Sequence, residues 1–308
     1  MHLARYAVRG ETNTRLGMLD DGVVRALPGL SGFAELHQRS VAEVRELLES
    51  PGPESRERSA LPVEEVVLLP PVDGRMEVWA AGVTYERSMD ARMEESAASE
   101  DVYARIYRAD RPELFFKAPP WRVVTDSEPI GVRPDAAITV PEPELALLVN
   151  SGGEVLGYTV CNDVSSRDLE GANPLYLPQA KIYDGSCALA AAVLPAWEVT
   201  DVDALGIRLV VHRDGDTVLD EQTSTARLHR SMSDLVDHLR RALTLPDGAV
   251  LATGTGIVPA LDFTLLPGDV VEIVVDEVGS LANPVTESGA LSWLAAAADS
   301  PSRRKELR

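Results

Sequence analysis

Pro143 fixes its own φ and has no amide proton to give, and it stands between two glutamates in Pro141-Glu142-Pro143-Glu144. The run therefore reads as extended backbone, where residues two apart share a face. Glu142 and Glu144 project together. Leu145-Ala146-Leu147-Leu148-Val149 carries the segment on as an apolar strand into Asn150-Ser151-Gly152-Gly153, a strong turn signal. Val155 to Cys161 then returns as the second arm of a hairpin. With the turn centred near Ser151-Gly152, position 144 falls opposite roughly position 160. Asp163, just past the returning arm, lies close to both glutamates.

Three carboxylates aimed at one point repel each other unless a cation sits between them. All-oxygen ligation by Glu142, Glu144 and Asp163 suits Mg²⁺, Mn²⁺ or Ca²⁺ rather than zinc. The competing reading is a solvated, proline-rich loop with Asp163 capping a turn. Lys181, in Gln179-Ala180-Lys181, bears on the choice because apolar and aromatic residues flank it (Leu175-Tyr176-Leu177 before, Ile182-Tyr183 after). A lysine in such company is partly buried. There it can hold a carboxylate or an enolate, or serve as a base whose proton affinity burial lowers.

The remaining sequence sets the frame. At 308 residues the chain can form one large domain or a small one plus a larger one. Short strands at Arg5–Arg9 and Val23–Leu27, a helix at Val41–Leu48, and the Pro51-Gly52-Pro53-Glu54-Ser55 loop predict a small αβ unit over 1–70. A larger unit spans 71–298. There, strands are predicted at 145–149, 155–161, 207–212 and 270–275, and helices at Ser88–Ala98 and Ser231–Leu243. The charged tail 299–308 reads as frayed and disordered. Strands outnumber helices without alternating with them, so the fold class is a β-rich α+β arrangement and not an open Rossmann-type sheet.

No run of about eighteen apolar residues occurs and no secretory leader is visible, while Cys161 and Cys187 are too few for a disulfide framework. These features predict a cytoplasmic protein. A formal net charge of −20 argues against nucleic acid or anionic membrane as partner. The five histidines show no metal-ligand spacing, and no G-x-S-x-G, P-loop or dinucleotide fingerprint is present. Gly254-Thr255-Gly256 offers backbone amides and a hydroxyl to an anion, as a weak signal on its own.

Taken in order, Gly82-Val83-Thr84-Tyr85, Phe115-Phe116-Lys117, Pro141–Glu144, Asn162–Asp168, Gln179–Lys181 and Thr253–Gly256 resemble the fumarylacetoacetate hydrolase superfamily. Pro267-Gly268-Asp269 and Gly279–Pro284 extend the likeness, which covers about residues 75 to 298. The resemblance implies a mixed β-sandwich roll as catalytic domain, and Mg²⁺ held by Glu142, Glu144 and Asp163. It also implies a homodimer or dimer of dimers. Arg167–Pro178, Tyr85–Ser88 and Arg111–Lys117 look like the branch that dehydrates 2-keto-3-deoxy-pentonates (arabinonate or xylonate). Hydrolytic members carry N-Y-x-x-H-x-x-E, and the matching positions here are Thr84, Tyr85, Ser88 and Ala91. The His–Glu dyad that activates water is absent. Ala172 stands where the dehydratase branch usually has glutamate, and the position is expected to border the site.

The expected activity is therefore a Mg²⁺-dependent lyase for a small 2-keto-3-deoxy sugar acid. Lys181 and Glu113 are the candidate base and acid, Arg87 and Ser88 contact the polar tail, and Thr255 the carboxylate. Lys117 reads as structural, paired with an acidic neighbour. The alternatives keep the metal-stabilised enolate but end in acylpyruvate hydrolysis, oxaloacetate decarboxylation or keto–enol isomerisation. A non-catalytic keto-acid-binding protein is the third reading.

Overall fold

The structure, a computed structural model, describes residues 1–49, 60–95 and 105–308, with the side chains of 91–95 outside that description. The predicted Pro51–Ser55 loop and the end of the predicted Ser88–Ala98 helix lie outside the described residues.

The apolar run after Glu144 forms the middle of the molecule because both of its faces are covered. Strand Pro143–Val149 is buried at every position and pairs antiparallel with Val155–Asp163 on one side and Ala249–Ala252 on the other. Leu145, Leu147 and Val149 pack with Leu209, Val271 and Ile273 of a second, five-stranded sheet. Ala146 and Leu148 instead join Leu3, Leu16, Phe33 and Val44 from the N-terminal region. The fold is a strand-rich α+β arrangement of open mixed sheets, twelve strands in the larger. The strands predicted at 145–149, 155–161, 207–212 and 270–275 are present.

Helix Met232–Arg240 follows from its stripe of Met232, Leu235, Val236 and Leu239, all buried, and from Ser231, whose hydroxyl accepts the Asp234 amide at 3.2 Å. Leu243, predicted on the same stripe, falls beyond the helix and is exposed. The N-terminal strands do not close on themselves. His2–Val8 pairs with Thr14–Asp20 and Val66–Leu69, and also with Ala192–Pro195, so the larger sheet crosses the boundary expected near residue 70.

The tail differs from expectation. Pro301–Arg303 and Arg304–Leu307 form short helical turns, and the Arg304 guanidinium is buried against Glu128, with bonds of 2.5 and 2.8 Å. A third bond reaches Val123 O at 2.6 Å. A buried carboxylate at Glu128 requires a counter-charge, and only the tail supplies it among the described residues.

His37 ties the N-terminal region to the central hairpin: its carbonyl accepts the Ser151 amide at 2.9 Å, while its ring is fully buried against Phe33. Burial lowers the imidazole pKa from 6.5 to about 4, opposed by nearby Asp247. The native ring thus stays neutral where the unfolded chain takes up a proton. The stability it contributes at neutral pH is lost as pH falls from 6.5 toward about 4, about 3 kcal/mol over that window. His37→Leu is expected to flatten this part of the acid limb in urea titrations at several pH values. An unchanged slope would remove His37 from the account.

Candidate active site

The central hairpin carries a β-bulge that decides the site. Its turn is held by Asn150, whose side-chain oxygen accepts the Glu154 amide at 2.8 Å and whose Nδ2 donates to Arg39 O at 2.9 Å. Val149 pairs with Val155, but Leu148 pairs with Gly157, a shift of one residue. Glu144 consequently faces Cys161 and not position 160, and the Asp163 amide donates to Glu142 O at 2.9 Å. A one-residue slip exchanges the two faces of a strand. Without the bulge Asp163 would point away from the glutamates; with it, all three carboxylates share a face.

Glu142, Glu144 and Asp163 are each at least nine-tenths buried, and one oxygen from each lies within 4.8 Å of the others. Two lysines meet them. Lys181, at the end of helix Leu177–Lys181, donates to Glu142 Oε2 at 2.7 Å, Asp163 Oδ2 at 3.0 Å and Ser165 Oγ at 2.6 Å. Lys117, on strand Glu113–Ala118 and fully buried, forms an ion pair with Asp163 Oδ1 and donates to Val164 O and Lys181 O. The structural reading of Lys117 agrees with that geometry. Glu144 accepts the Gly254 amide at 2.7 Å. Gly254 has φ +92°, and a Cβ there would lie 2.0 Å from Thr84 Oγ1, so the position admits only glycine.

Burial pushes the Glu144 carboxyl well above the usual carboxylate range, with Asp163 and then Glu142 adding repulsion, while Lys181 and the Gly254 amide act against the rise. Among the described residues, three carboxylates face two ammonium groups. An octahedral Mg²⁺ with bonds of about 2.1 Å places its donors roughly 3 to 4 Å apart. The oxygen-only donor set at this spacing fits a hard divalent cation after a small contraction.

Ser88, Glu113 and Thr255 line the same pocket as Glu142, Glu144 and Lys181. Two of these are locally engaged. The Ser88 hydroxyl donates to Tyr85 O at 2.7 Å, and that of Thr255 to Ile257 O at 3.1 Å. Arg87 is a correction: it lines a separate cavity with Tyr85, Asp90, Tyr107 and Arg227, and its Nη2 approaches Val258 O at 3.4 Å. Adjacent helical residues point about 100° apart, which directs Arg87 to a different cavity from the one Ser88 lines. Ala172 is a second correction, being exposed and away from the pocket lining. Glu170, two residues earlier on helix Arg167–Ala172, is buried and faces the pocket. The sequence reading missed it. Its signal was the i, i+3 spacing with Arg167, which marks the inward side of that helix. Among the described residues no histidine lines the pocket.

Comparison with known proteins places this geometry. The fumarylacetoacetate (FAA) hydrolase C-terminal family matches residues 77–286. A probable 2-keto-3-deoxyxylonate dehydratase of Haloferax volcanii is 48% identical over 216 residues, covering 70% of this chain and 74% of that protein. A 2-dehydro-3-deoxy-D-arabinonate dehydratase of Saccharolobus solfataricus is 41% identical over 226 residues, 72% and 76% of the two chains. Among solved structures, 2-keto-3-deoxy-D-arabinonate dehydratase complexed with magnesium and 2,5-dioxopentanoate superposes with a TM-score of 0.77. The identity is 33%, over 93% of this chain and 99% of the other.

Proposed function

Because this chain belongs to the fumarylacetoacetate hydrolase family, we propose that it is a Mg²⁺-dependent dehydratase of a 2-keto-3-deoxy-pentonate. The observation that carries the reading is the buried triad Glu142, Glu144 and Asp163 sharing one pocket with Lys181 and Glu113. The two relatives at 41% and 48% identity, both dehydratases by name, support it.

The three carboxylates are the residues that would hold Mg²⁺, which supplies Lewis acidity toward the carboxylate and 2-keto oxygens of a keto acid and so acidifies its C3–H. Lys181 lies beside the triad, the side from which a C3 proton can be taken. Glu113 lines the same pocket and is assigned the proton that departs with the C4 hydroxyl as water. Tautomerisation of the C5 carbinol then yields a 2,5-dioxo acid. Phe115, whose ring lies 5.4 Å from Lys181 Nζ, helps to exclude water from the amine. Ser88 and Thr255 can accept bonds from substrate, their own protons being engaged. Ser88 cannot replace the imidazole that hydrolysis of a carbon–carbon bond would use.

A cytoplasmic homodimer or dimer of dimers is the proposed working form. No helix among the described residues is long and apolar enough to cross a membrane. Leu175, 83% exposed, and half-exposed Tyr176 offer an apolar surface for a second copy.

The test is product analysis with 2-keto-3-deoxy-pentonates of each configuration. Formation of 2,5-dioxopentanoate is expected with Mg²⁺, and a loss of at least about 100-fold on chelation. No product from any isomer would refute the assignment. Turnover of acetylpyruvate or oxaloacetate in its place would favour hydrolysis or decarboxylation at the same site.

A further inference from the structure

A second cavity, of about 250 Å³, is lined by stretches distant in the chain and shares no residue with the pocket of the triad. Arg5 comes from strand His2–Val8, Trp121 from the turn Pro120–Arg122, and Ala297, Pro301 and Arg304 from the tail. Leu69 and Val72 add to a lining that is mostly apolar. Trp121 is 39% exposed, and the Arg122 guanidinium lies 4.4 Å from its ring centroid, held there by Asp184 at 3.1 Å. An indole stacked on a tethered guanidinium makes a preset aromatic wall.

Two guanidinium groups line this cavity, and neither is fully engaged by its own partners. Arg5 Nε pairs with Asp73 Oδ2 at 2.9 Å, while Arg304 directs Nε and Nη2 to Glu128 and Val123 O. Arg5 Nη2 and Arg304 Nη1 have no hydrogen-bond partner among the described residues, and both keep some solvent contact. The two acids are otherwise occupied. Asp73 also accepts the Phe33 and Ala34 amides, and Glu128 the Thr125 amide. Burial lowers the Arg5 pKa; Asp73 opposes the lowering and Arg304 adds to it, so the two cations repel. The tail adds Arg303, Lys305 and Arg308 against Glu306, a local excess of positive charge in a chain of formal net charge −20.

We infer that this cavity is a binding site, separate from the triad, for a small monocarboxylate with an aromatic or branched apolar body. The carboxylate takes the remaining guanidinium donors in charge-assisted hydrogen bonds, and the body packs on Trp121 and the aliphatic lining. An apolar cavity of about 150 Å³ accepts benzene, so 250 Å³ holds a phenyl ring with a short acid arm. A cationic head group would meet Arg5 and Arg304, a like-charge juxtaposition that rejects it. A ligand held there joins the N-terminal strand to the tail and stabilises the native state by mass action. The inference does not depend on the dehydratase reading.

Phenylacetate is the probe, compared in calorimetric titrations with acetate and with the cationic 2-phenylethylammonium. The unaltered protein should bind phenylacetate at least about tenfold more tightly than either, with a fluorescence change that Trp121→Phe removes. Affinity should agree within about twofold with Mg²⁺ present and after chelation, whereas a carboxylate held by metal at the triad would be lost on chelation. Arg5→Gln should weaken phenylacetate at least about tenfold. That change also takes the cation from Asp73, so Ala298→Phe is the second arm: residue 298 lines the cavity, is exposed, and gains a ring there without breaking an ion pair. It should weaken phenylacetate at least about tenfold and leave any turnover of the pentonate within about twofold. Phenylacetate affinity unchanged in Ala298→Phe would overturn the inference. So would 2-phenylethylammonium binding as tightly as phenylacetate, binding that disappears on chelation, or no phenylacetate binding up to about 10 mM.

Discussion

Asp163→Asn is expected to lose at least about 10³-fold in turnover, to abolish Mg²⁺ binding, and to lower stability by about 3–5 kcal/mol. The carboxylate stands between two buried ammonium groups, Lys117 on Oδ1 and Lys181 on Oδ2. An asparagine offers one carbonyl oxygen and one NH₂, so at least one lysine would face a donor and keep an unmatched charge. Calorimetric Mg²⁺ titration and urea unfolding read the two effects.

Glu144→Gln separates metal loss from fold loss. Glu144 pairs with the Gly254 amide, and burial already favours its protonated form. With its native pKa raised, the folded state keeps a proton that the unfolded chain releases above the ordinary carboxylate value of 4.5. Metal-free stability from this group therefore falls as pH rises beyond that value. The glutamine variant should be no less stable than the parent at pH 7 without metal, and yet should fail to bind Mg²⁺. Binding of Mg²⁺ within tenfold of the parent by either variant would exclude this triad as the metal site.

Lys181→Met should part the same properties in the other direction. Turnover is expected to fall about 10²–10⁴-fold, since a group that moves a proton is lost, while Mg²⁺ binding is kept or strengthened. In the metal-free protein the ammonium bridges Glu142 and Asp163 and so competes for the oxygens a cation would use. Its removal relieves that competition and takes away the ammonium that bridges Glu142 and Asp163, so the metal-free variant should unfold earlier. Mg²⁺ should restore more stability to it than to the parent, by the mass action of a ligand that binds only the native state. The measurements are kcat for the pentonate and melting temperature against Mg²⁺ concentration. Turnover within tenfold of the parent would remove Lys181 from the proton-moving role.

The site was legible in the sequence to an unusual depth at some positions and not at others. Pro143 between two glutamates, the apolar run and the Asn150–Gly153 turn indicated a buried hairpin bearing carboxylates, and Lys181 stood out by its apolar flanks. The pairing itself was read one residue off. The placement of position 144 opposite 160 assumed a regular hairpin, whereas the bulge at Leu148 and Val149 brings Cys161 there. That bulge accompanies a turn tied to Arg39 and His37, residues more than a hundred positions away. Arg87 and Ala172 were expected at the pocket from the likeness to the dehydratase branch, whereas the pocket is lined by Ser88 and Glu170 and not by those two. The tail looked frayed because its charges have no local partner, and Arg304 finds one in Glu128, 176 residues earlier.

By itself the sequence determined the strand-rich class and singled out the three clustered carboxylates, because both depend on residue type, short-range periodicity or backbone restriction, while the missing His–Glu dyad was legible only through the family resemblance. Tertiary structure alone decided that Asp163 shares the face of Glu142 and Glu144, that Lys117 and Lys181 neutralise part of their charge, and that Glu170 lines their pocket. Those outcomes are set by strand register and by packing between segments distant in the chain. A shift of one residue, or a helix rotated by 100°, reverses them without changing any local pattern.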